Sequence, residues 1–303
     1  MSKDIALPHP TQTPITDPMT CGEDHPYNLA LATTYASKLC EMCANYHATI
    51  SINRITGTSA WSGISRPALV RFISNLPDEG AGSTDILIAG AADTSTFATC
   101  AHAVAVKSPR HLEATRFHIL DKCETPLVLC RDFAHRHNLT AQIGRDDLTD
   151  PSRNYSADIV ILHSVLNFIP ADYHPDVLRN ALSWLKPNGR LFFWNDLQRG
   201  HEAREKAARK MENERVRQML ADGRLTIGED RETFLSRLEG RHEKYGISSA
   251  ARFPASYFKT ILAELGAPVV SFDVLDDVRI LSDGHELKRP FLQAVLGKNP
   301  TLP

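Results

Sequence analysis

Apolar residues recur at three- and four-residue steps over residues 26–50, and again over residues 66–76. Such spacing puts apolar side chains on one face of a helix. Pro77 directly follows the second segment, and a proline there is typical of a helix end. We therefore predict an N-terminal helical cap over residues 21–80. The preceding residues 1–20 are polar and contain four prolines, so we expect a disordered arm.

From residue 85 onward, short apolar runs alternate with helical stretches. We predict strands near 86–89, 116–120, 140–143, 157–162 and 190–194, with helices near 95–105, 126–137 and 172–185 between them. Alternation of this kind is typical of βαβ units that build a parallel sheet with helices on both faces. Residues 81–303 are therefore predicted to form one α/β domain.

The composition changes abruptly to charged, helix-favouring residues at 199–246, a stretch that contains Gly223 and Gly228. A helix at 255–265 and strands near 269–275 and 291–296 follow it, so this stretch is predicted to be a helical insertion after the fifth strand. Because ligands of such sheets bind at the carboxyl ends of the strands, an insertion at this position is expected to cover the site as a lid.

Small residues follow the first predicted strand and lead into a helix. Gly90, Ala91 and Ala92 allow a cofactor to approach the backbone closely, and Thr94 lies at the start of the following helix. A single glycine among these positions is a weak form of the glycine-rich fingerprint. The loop is our first candidate for cofactor binding.

Carboxylates follow the second and third predicted strands. Asp121, with Lys122 after it, lies where nucleotide-binding sheets place an acid that accepts hydrogen bonds from ribose hydroxyls. Asp146 and Asp147 come after the third strand, and either is a candidate partner for an adenine amino group. We prefer Asp147, because Leu148 behind it can pack beneath the base.

The order of these motifs resembles the class I methyltransferases. The fourth strand with its extension, residues 157–168, and the Leu185-Lys186-Pro187-Asn188-Gly189-Arg190-Leu191 turn resemble later motifs of that family. The resemblance implies a doubly wound, seven-stranded, mostly parallel sheet whose last strand is antiparallel. It also implies S-adenosylmethionine as cofactor and methyl transfer to an oxygen, nitrogen, sulfur or carbon atom.

The loop departs from the family pattern in two respects. Ile88 replaces the usual acidic residue before the loop, and Ala92 and Thr94 replace two of its glycines. The missing acid normally steadies the methionine end of the cofactor. A catalytically silent adenosyl-binding protein that regulates or partners another chain is therefore the alternative function. A nicotinamide-dependent oxidoreductase ranks last, because it needs a fuller glycine fingerprint.

Candidate catalytic residues lie near the predicted cleft. His163, at the end of the fourth strand, is expected to contact the cofactor and to take a proton from a protonated nucleophile. Asn167 follows it and is a candidate for orienting a substrate hydroxyl or amine. His201 from the lid, and Tyr27 from the cap, are further candidates.

Cys40, Cys43 and His47 share one face of the first predicted helix. The spacing is compatible with a metal site or a thiol pair for a soft metalloid. We favour apolar packing, since buried cysteines behave as small hydrophobes and no second cysteine pair with zinc-like spacing accompanies them. No metal is therefore predicted.

The composition indicates which kinds of binding partner the chain is suited to. With 34 basic and 36 acidic residues, the chain lacks the positive field expected for binding a phosphate backbone, which favours a small-molecule substrate over nucleic acid. No run approaches the roughly 18 apolar residues of a membrane span. Six scattered cysteines and no signal peptide predict a cytoplasmic protein with reduced thiols. A homodimer is compatible with the sequence.

Overall fold

Seven β-strands form one sheet in a computed structural model that describes residues 9–40, 43–57, 61–77, 83–198, 202–240, 252–280 and 286–298. The strand order is β3-β2-β1-β4-β5-β7-β6. The strands are β1 Asp85–Ala89, β2 Arg116–Asp121, β3 Ala141–Arg145, β4 Ala157–His163, β5 Leu185–Asp196, β6 Val269–Ile280 and β7 Glu286–Gly297.

The first five strands are parallel, and β7 is antiparallel to both β5 and β6. The winding direction reverses between β1 and β4, which lie side by side although β2 and β3 separate them in sequence. Ligands of open α/β sheets bind at such a switch point, outside the carboxyl ends of the strands. The predicted doubly wound, mostly parallel sheet is confirmed.

Helices cover both faces of the sheet. Their bounds are α1 His25–Leu39, α2 Ala44–Thr49, α3 Ile52–Ile55, α4 Arg66–Ser74, α5 Ser95–Lys107, α6 Pro109–Ala114, α7 Glu124–Arg136, α8 His174–Ser183, α9 Glu202–Ala221, α10 Arg231–Gly240 and α11 Ala255–Glu264. Within the described part of the chain, no helix is both long enough and apolar enough to cross a membrane.

The core consists of two apolar layers, one on each face of the sheet. Every residue of β1 is buried, and its side chains alternate between the layers: Ile86 and Ile88 pack in one with residues of α4, α5 and α7, and Leu87 and Ala89 in the other with residues of α8 and α11. Strands buried on both faces read as continuous apolar runs, which is why this part of the sheet is visible in the sequence. Ile88 therefore serves as a core residue.

A charged cluster ties strands together at the amino edge of the sheet. Asp85, 3% exposed, accepts hydrogen bonds from Arg116 at 2.7 and 2.8 Å and from the Lys186 ammonium at 2.7 Å. Lys186 also bonds Asp158 at 2.7 Å. Burial alone raises the pKa of Asp85, but the hydrogen bonds from Arg116 and Lys186 outweigh it and lower that pKa to about 2.

The cap differs from the single helix predicted over residues 26–50. In place of that helix lie α1, α2 and α3, and Cys40 after α1 already has an extended backbone. The helices before and after Cys40 pack against different elements. Tyr27 in α1 bonds Asp132 of α7 at 3.1 Å, whereas His47 in α2 contacts the backbone oxygen of Ala92 at 3.1 Å. One straight helix would not reach both elements.

The amino-terminal arm is described from residue 9 onward, where its residues are exposed or half-buried and several of them contact the rest of the chain; residues 1–8 of the predicted disordered arm lie outside the described residues. The backbone amide and the hydroxyl of Thr11 donate to Asp24 at 2.8 and 2.9 Å. The backbone oxygen of Ile15 lies 2.8 Å from His102 Nδ1, and Ile15 packs against the core. The polar composition did not reveal this anchoring, because a single apolar residue and backbone groups provide it.

The insertion after β5 contributes α9 and α10 and packs on the cap. A small apolar core joins the two, formed by Leu29, Ile52, Val216, Leu225, Phe234 and Leu238. The turn between α9 and α10 touches α1, where the backbone amide of Gly228 donates to the hydroxyl of Thr33 at 2.7 Å. Cap and insertion therefore form one helical layer.

Candidate functional site

The loop after β1 approaches the loop after β4 so closely that only glycine fits at its start. Gly90 has φ +86°, and an added Cβ would lie 2.5 Å from Cγ2 of Val165. Its amide donates to the backbone oxygen of Leu120 at 2.8 Å. The positive φ and the close approach to Val165 both explain this glycine.

Asp121 lies at the end of β2, next to this loop. Its carboxylate accepts hydrogen bonds from the amide of Ala91 at 3.0 Å and from the amide of Cys123 at 2.7 Å. Burial raises the pKa of Asp121 to about 6, despite the opposing effects of His47 and of the two amide hydrogen bonds. The structure thus places the predicted ribose acid beside the predicted loop.

Lys122 points away from this contact. Its side chain is 80% exposed and pairs with Asp147 at 2.8 Å. Asp147 also accepts two hydrogen bonds from Thr149. The hydrogen bonds from Lys122 and Thr149 together outweigh the opposing effect of burial and lower the pKa of Asp147 to about 2.

Asp146 is the more buried of the two aspartates after β3, at 8% exposure. Its amide donates to the backbone oxygen of Asp121 at 3.0 Å, and its carboxylate binds the Tyr155 hydroxyl and pairs with Arg153 at 2.8 Å. Leu148 is buried in the core cluster of Val160 and Leu162. Residues 146–148 therefore lie next to Asp121, as the predicted adenine site requires.

The start of α5 is held by residues of the cap. Thr94 and Ser95 donate to Glu23 at 2.7 and 3.0 Å, and Arg54 pairs with Asp93 at 3.4 Å while bonding Ser95 at 2.8 Å. Thr94 makes no capping bond of its own to the helix. Glu23 and Arg54 were not predicted as site residues, because nothing in the local sequence of residues 21–57 marks them as neighbours of a loop 40 to 70 positions away.

His163 ends β4 at the same edge of the sheet. Its Nε2 lies 2.8 Å from the Ser65 hydroxyl, and its ring is nearly parallel to that of Trp194, with centroids 6.1 Å apart. Burial, with a smaller contribution from Arg54, lowers the pKa of His163 to about 3. The ring is therefore neutral at physiological pH. Ser65 was another residue that the sequence did not single out.

The other predicted catalytic residues are spread more widely. Asn167 Oδ1 accepts a hydrogen bond from Asn195 at 3.0 Å, close to the end of β5. Tyr27 lies between α1 and α7, bonded to Asp132. His201 lies outside the described residues.

An aromatic side chain from the cap faces the same group of residues. The ring of Tyr46 lies 4.9 Å from that of Phe168, centroid to centroid, and 5.2 Å from His47. Burial raises the pKa of Tyr46, and nearby Asp93 and Asp121 raise it further. The cap therefore supplies both charged and aromatic groups to the carboxyl edge of the sheet.

Three of the predicted cofactor-binding features lie together at the carboxyl edge of the sheet, near the end of the fourth strand. The Gly90 loop, Asp121 and residues 146–148 are joined by backbone hydrogen bonds, and His163 stands on the other side of β1. A glycine that no side chain can replace, next to a buried carboxylate, fits a nucleoside with a ribose diol. These residues therefore fit the adenosyl part of the expected cofactor.

A family match over part of the chain supports this interpretation. Residues 100–193 match the family described as "Methyltransferase domain". A S-adenosylmethionine-dependent methyltransferase structure from Methanosarcina mazei aligns with 15% identity, covering 75% of this chain and 96% of the other, with a TM-score of 0.46. No curated protein matches the sequence.

Two O-methyltransferase family structures give similar values. One from Burkholderia thailandensis has 14% identity, with 83% of this chain and 58% of the other covered and a TM-score of 0.44. The family 2 protein from Planctomyces limnophilus, solved in complex with apigenin, has 16% identity, coverage of 89% and 66%, and a TM-score of 0.47.

Proposed function

Residues 100–193 match a methyltransferase domain family, and we propose that the chain is a class I S-adenosylmethionine-dependent methyltransferase that methylates a small-molecule nucleophile. The convergence of the Gly90 loop, Asp121 and residues 146–148 at one edge of the sheet is the observation that carries this proposal. The near-neutral charge of the chain, with 34 basic and 36 acidic residues, favours a small substrate over nucleic acid.

The adenosyl part of the cofactor is assigned to residues at the ends of β1, β2 and β3. The backbone of Gly90, Ala91 and Ala92 lines the approach, Asp121 accepts hydrogen bonds from the ribose hydroxyls, and residues 146–148 flank the adenine. When bound, S-adenosylmethionine supplies a methyl group attached to a sulfonium sulfur. The thioether that remains after methyl transfer is an excellent leaving group. The protein then has to hold the nucleophile in line with that methyl group.

We assign the amino-acid end of the cofactor to the cap. Ile88 is a core residue, so the acid usually found there is missing. Glu23 is 2% exposed, and its Oε2 is buried without a hydrogen-bond partner among the residues that the structure describes. A buried acceptor of this kind costs free energy until a donor satisfies it. Glu23, with Asp93 beside it, therefore supplies a carboxylate for the methionine ammonium from outside the sheet.

His163 and Asn167 are proposed to align the substrate. Because His163 is neutral and already bonds Ser65, its contribution is a fixed hydrogen-bonding ring. Asn167 is held by Asn195, which fixes its amide for a substrate hydroxyl or amine. Alignment of this kind carries a large share of the rate enhancement when the leaving group is already activated.

The helical layer of cap and insertion is proposed to act as a lid. It stands over the carboxyl edge through Arg54, Tyr46 and His47. Excluding water from the cleft strengthens the electrostatic interactions inside it. The shape of this layer sets which acceptor enters.

Two measurements test the proposed function. Isothermal titration with S-adenosylhomocysteine, S-adenosylmethionine and NADH should give saturable binding of the adenosyl compounds only. Incubation with methyl-labelled S-adenosylmethionine and a panel of phenols, thiols and amines should then give a labelled product. Adenosyl binding with no labelled product from any acceptor would favour the silent adenosyl-binding alternative, and binding of NADH alone would refute both.

A further inference from the structure

Three thiols and one imidazole from two distant segments of the chain lie together beside the loop after β2. Sγ of Cys123 lies 3.2 Å from Sγ of Cys40 and 3.3 Å from Sγ of Cys43. The possible ligand atoms of these cysteines and of His47 all lie within 4.8 Å of one another. We propose that Cys40, Cys43, His47 and Cys123 bind one Zn²⁺ ion.

The donor set and its dimensions suit zinc. Three cysteines and one histidine form one of the common tetrahedral zinc sites, with Zn–S bonds of about 2.3 Å, which places the sulfurs about 3.8 Å apart. The sulfur separations of 3.2 and 3.3 Å require an opening of only about half an ångström to reach that geometry. Rotation of the cysteine side chains on the flanks of the break between α1 and α2 can provide it.

His47 is held in the form that binds a metal. Its Nδ1 lies 3.1 Å from the backbone oxygen of Ala92, and a carbonyl oxygen only accepts, so Nδ1 carries the proton. In a neutral ring, Nε2 then offers a free lone pair. Histidine ligands commonly use their second ring nitrogen in this way, donating to a backbone carbonyl that fixes the ring.

Neighbouring groups orient the cysteines. The amide of Cys123 donates to Asp121 at 2.7 Å, and Sγ of Cys40 lies 2.9 Å from the Thr125 hydroxyl. With four protein ligands the site is closed, as structural zinc sites are. The ion would fasten the cap to the loop that carries the ribose acid. This inference is independent of methyl transfer, since it concerns only how these four side chains are held together.

A disulfide is the competing explanation for the close sulfurs. All six cysteines are free thiols, and a bond of about 2.05 Å would use only two of the three clustered sulfurs. It would leave the third thiol and the oriented imidazole without a role. Zinc uses all four groups, which is why we favour it over the disulfide.

The test measures metal directly. The full chain, purified without chelator from cells supplied with zinc, should contain about one zinc per chain by elemental mass spectrometry. After removal of zinc and addition of Co²⁺ alone, it should show thiolate-to-cobalt charge transfer and the intense visible bands of tetrahedral cobalt. Because both readouts use the wild-type chain, they do not depend on the folding of a variant.

Matched variants then assign the ligands. Cys123→Ser and His47→Ala should lower the bound zinc at least about tenfold, whereas Cys100→Ala, which removes a buried thiol outside the cluster, should leave it unchanged. A wild-type chain with no zinc and no tetrahedral cobalt spectrum would overturn the proposal, as would a Cys40–Cys123 or Cys43–Cys123 disulfide in the zinc-supplied protein. Binding of S-adenosylhomocysteine, measured separately, decides the proposed function.

Discussion

Asp121 is the residue on which the proposed cofactor binding should depend most. It already accepts two backbone hydrogen bonds, and its burial raises its pKa. The proposed ribose hydroxyls would add donors to a carboxylate that the fold has already positioned. Loss of that carboxylate should therefore affect affinity more than it affects the fold.

Asp121→Asn should weaken the binding of S-adenosylhomocysteine by about 1–3 kcal/mol, or roughly 5- to 150-fold in Kd, the usual effect of leaving buried polar partners unpaired. Titration calorimetry measures it. Asp172→Asn, at an exposed position after β4, is the control and should bind as wild type does. Equal affinity of a folded Asp121→Asn variant would remove Asp121 from the site.

The low pKa of His163 predicts how kcat depends on pH. Because burial lowers its pKa to about 3, the ring stays neutral over the range in which the enzyme can be assayed, and kcat should show no inflection from this residue between about pH 5 and 8. His163→Asn should lower kcat by about tenfold or less, in keeping with the loss of one hydrogen bond. An inflection near neutrality that disappears in His163→Asn would instead identify a general base.

Residues that adjoin strand ends were accessible from the sequence, whereas those from the cap were not. Gly90 and Asp121 follow apolar runs that mark β1 and β2, so their position at the carboxyl edge follows from the strand pattern. Glu23, Arg54 and Ser65 reach the site only through the path of the cap, which no local pattern records. No local pattern places Cys123 beside Cys40 and Cys43 either.

At the scale of elements, Asp85 links β1 to β2 through Arg116 and to the start of β5 through Lys186. Its pKa is about 2 in the folded chain against 3.8 ordinarily. A lowered folded pKa means that the unfolded chain takes up the proton first, so the stabilisation is complete above about pH 4 and is lost as the pH falls towards 2.

Between about pH 5 and pH 3, wild type should lose about 1 kcal/mol more of its free energy of unfolding than Asp85→Asn, which has no carboxylate to protonate. Urea unfolding at each pH measures it, with Asp172→Asn as the exposed control. Parallel losses in wild type and Asp85→Asn would show that the cluster contributes nothing to acid sensitivity.

The strands were predictable because β1 and β4 each contain an unbroken run of four apolar residues, 86–89 and 159–162, and buried parallel strands have this composition. The breaks between the helices of the cap were not predictable, because the three- and four-residue steps continue across residues 40–43. Such spacing shows which face of a helix is apolar, but it does not show where the helix axis changes direction. The predicted strand near 269–275 also extends to Ile280 in the structure. Its further length comes from pairing with β7, a long-range contact.

At the scale of the whole molecule, the proposed lid depends on how the insertion is attached to the cap. A Cβ on Gly228 would overlap the Thr34 hydroxyl and lie 2.5 Å from the backbone oxygen of Ala30. Backbone of a helix cannot yield to such a contact, so the turn between α9 and α10 would have to separate from α1.

Gly228→Ala should therefore open this turn, at a cost of about 1–3 kcal/mol, and limited proteolysis within 223–231 should be roughly 5- to 150-fold faster than in wild type. Gly223→Ala is the local control: its methyl meets nothing within 4 Å, and its left-handed backbone adds only about 1 kcal/mol of strain. Equal cleavage in the Gly228→Ala and Gly223→Ala variants would show that Gly228 does not hold the insertion.

We have proposed that the carboxyl edge of the sheet binds an adenosyl cofactor beside Asp121. A crystal structure of the full chain with S-adenosylhomocysteine would show directly where the nucleoside binds. We predict that the ribose hydroxyls bond the Asp121 carboxylate, with the adenine against residues 146–148 and the amino-acid end towards Glu23. A nucleoside bound at any other place in the molecule, with Asp121 free of it, would contradict the account.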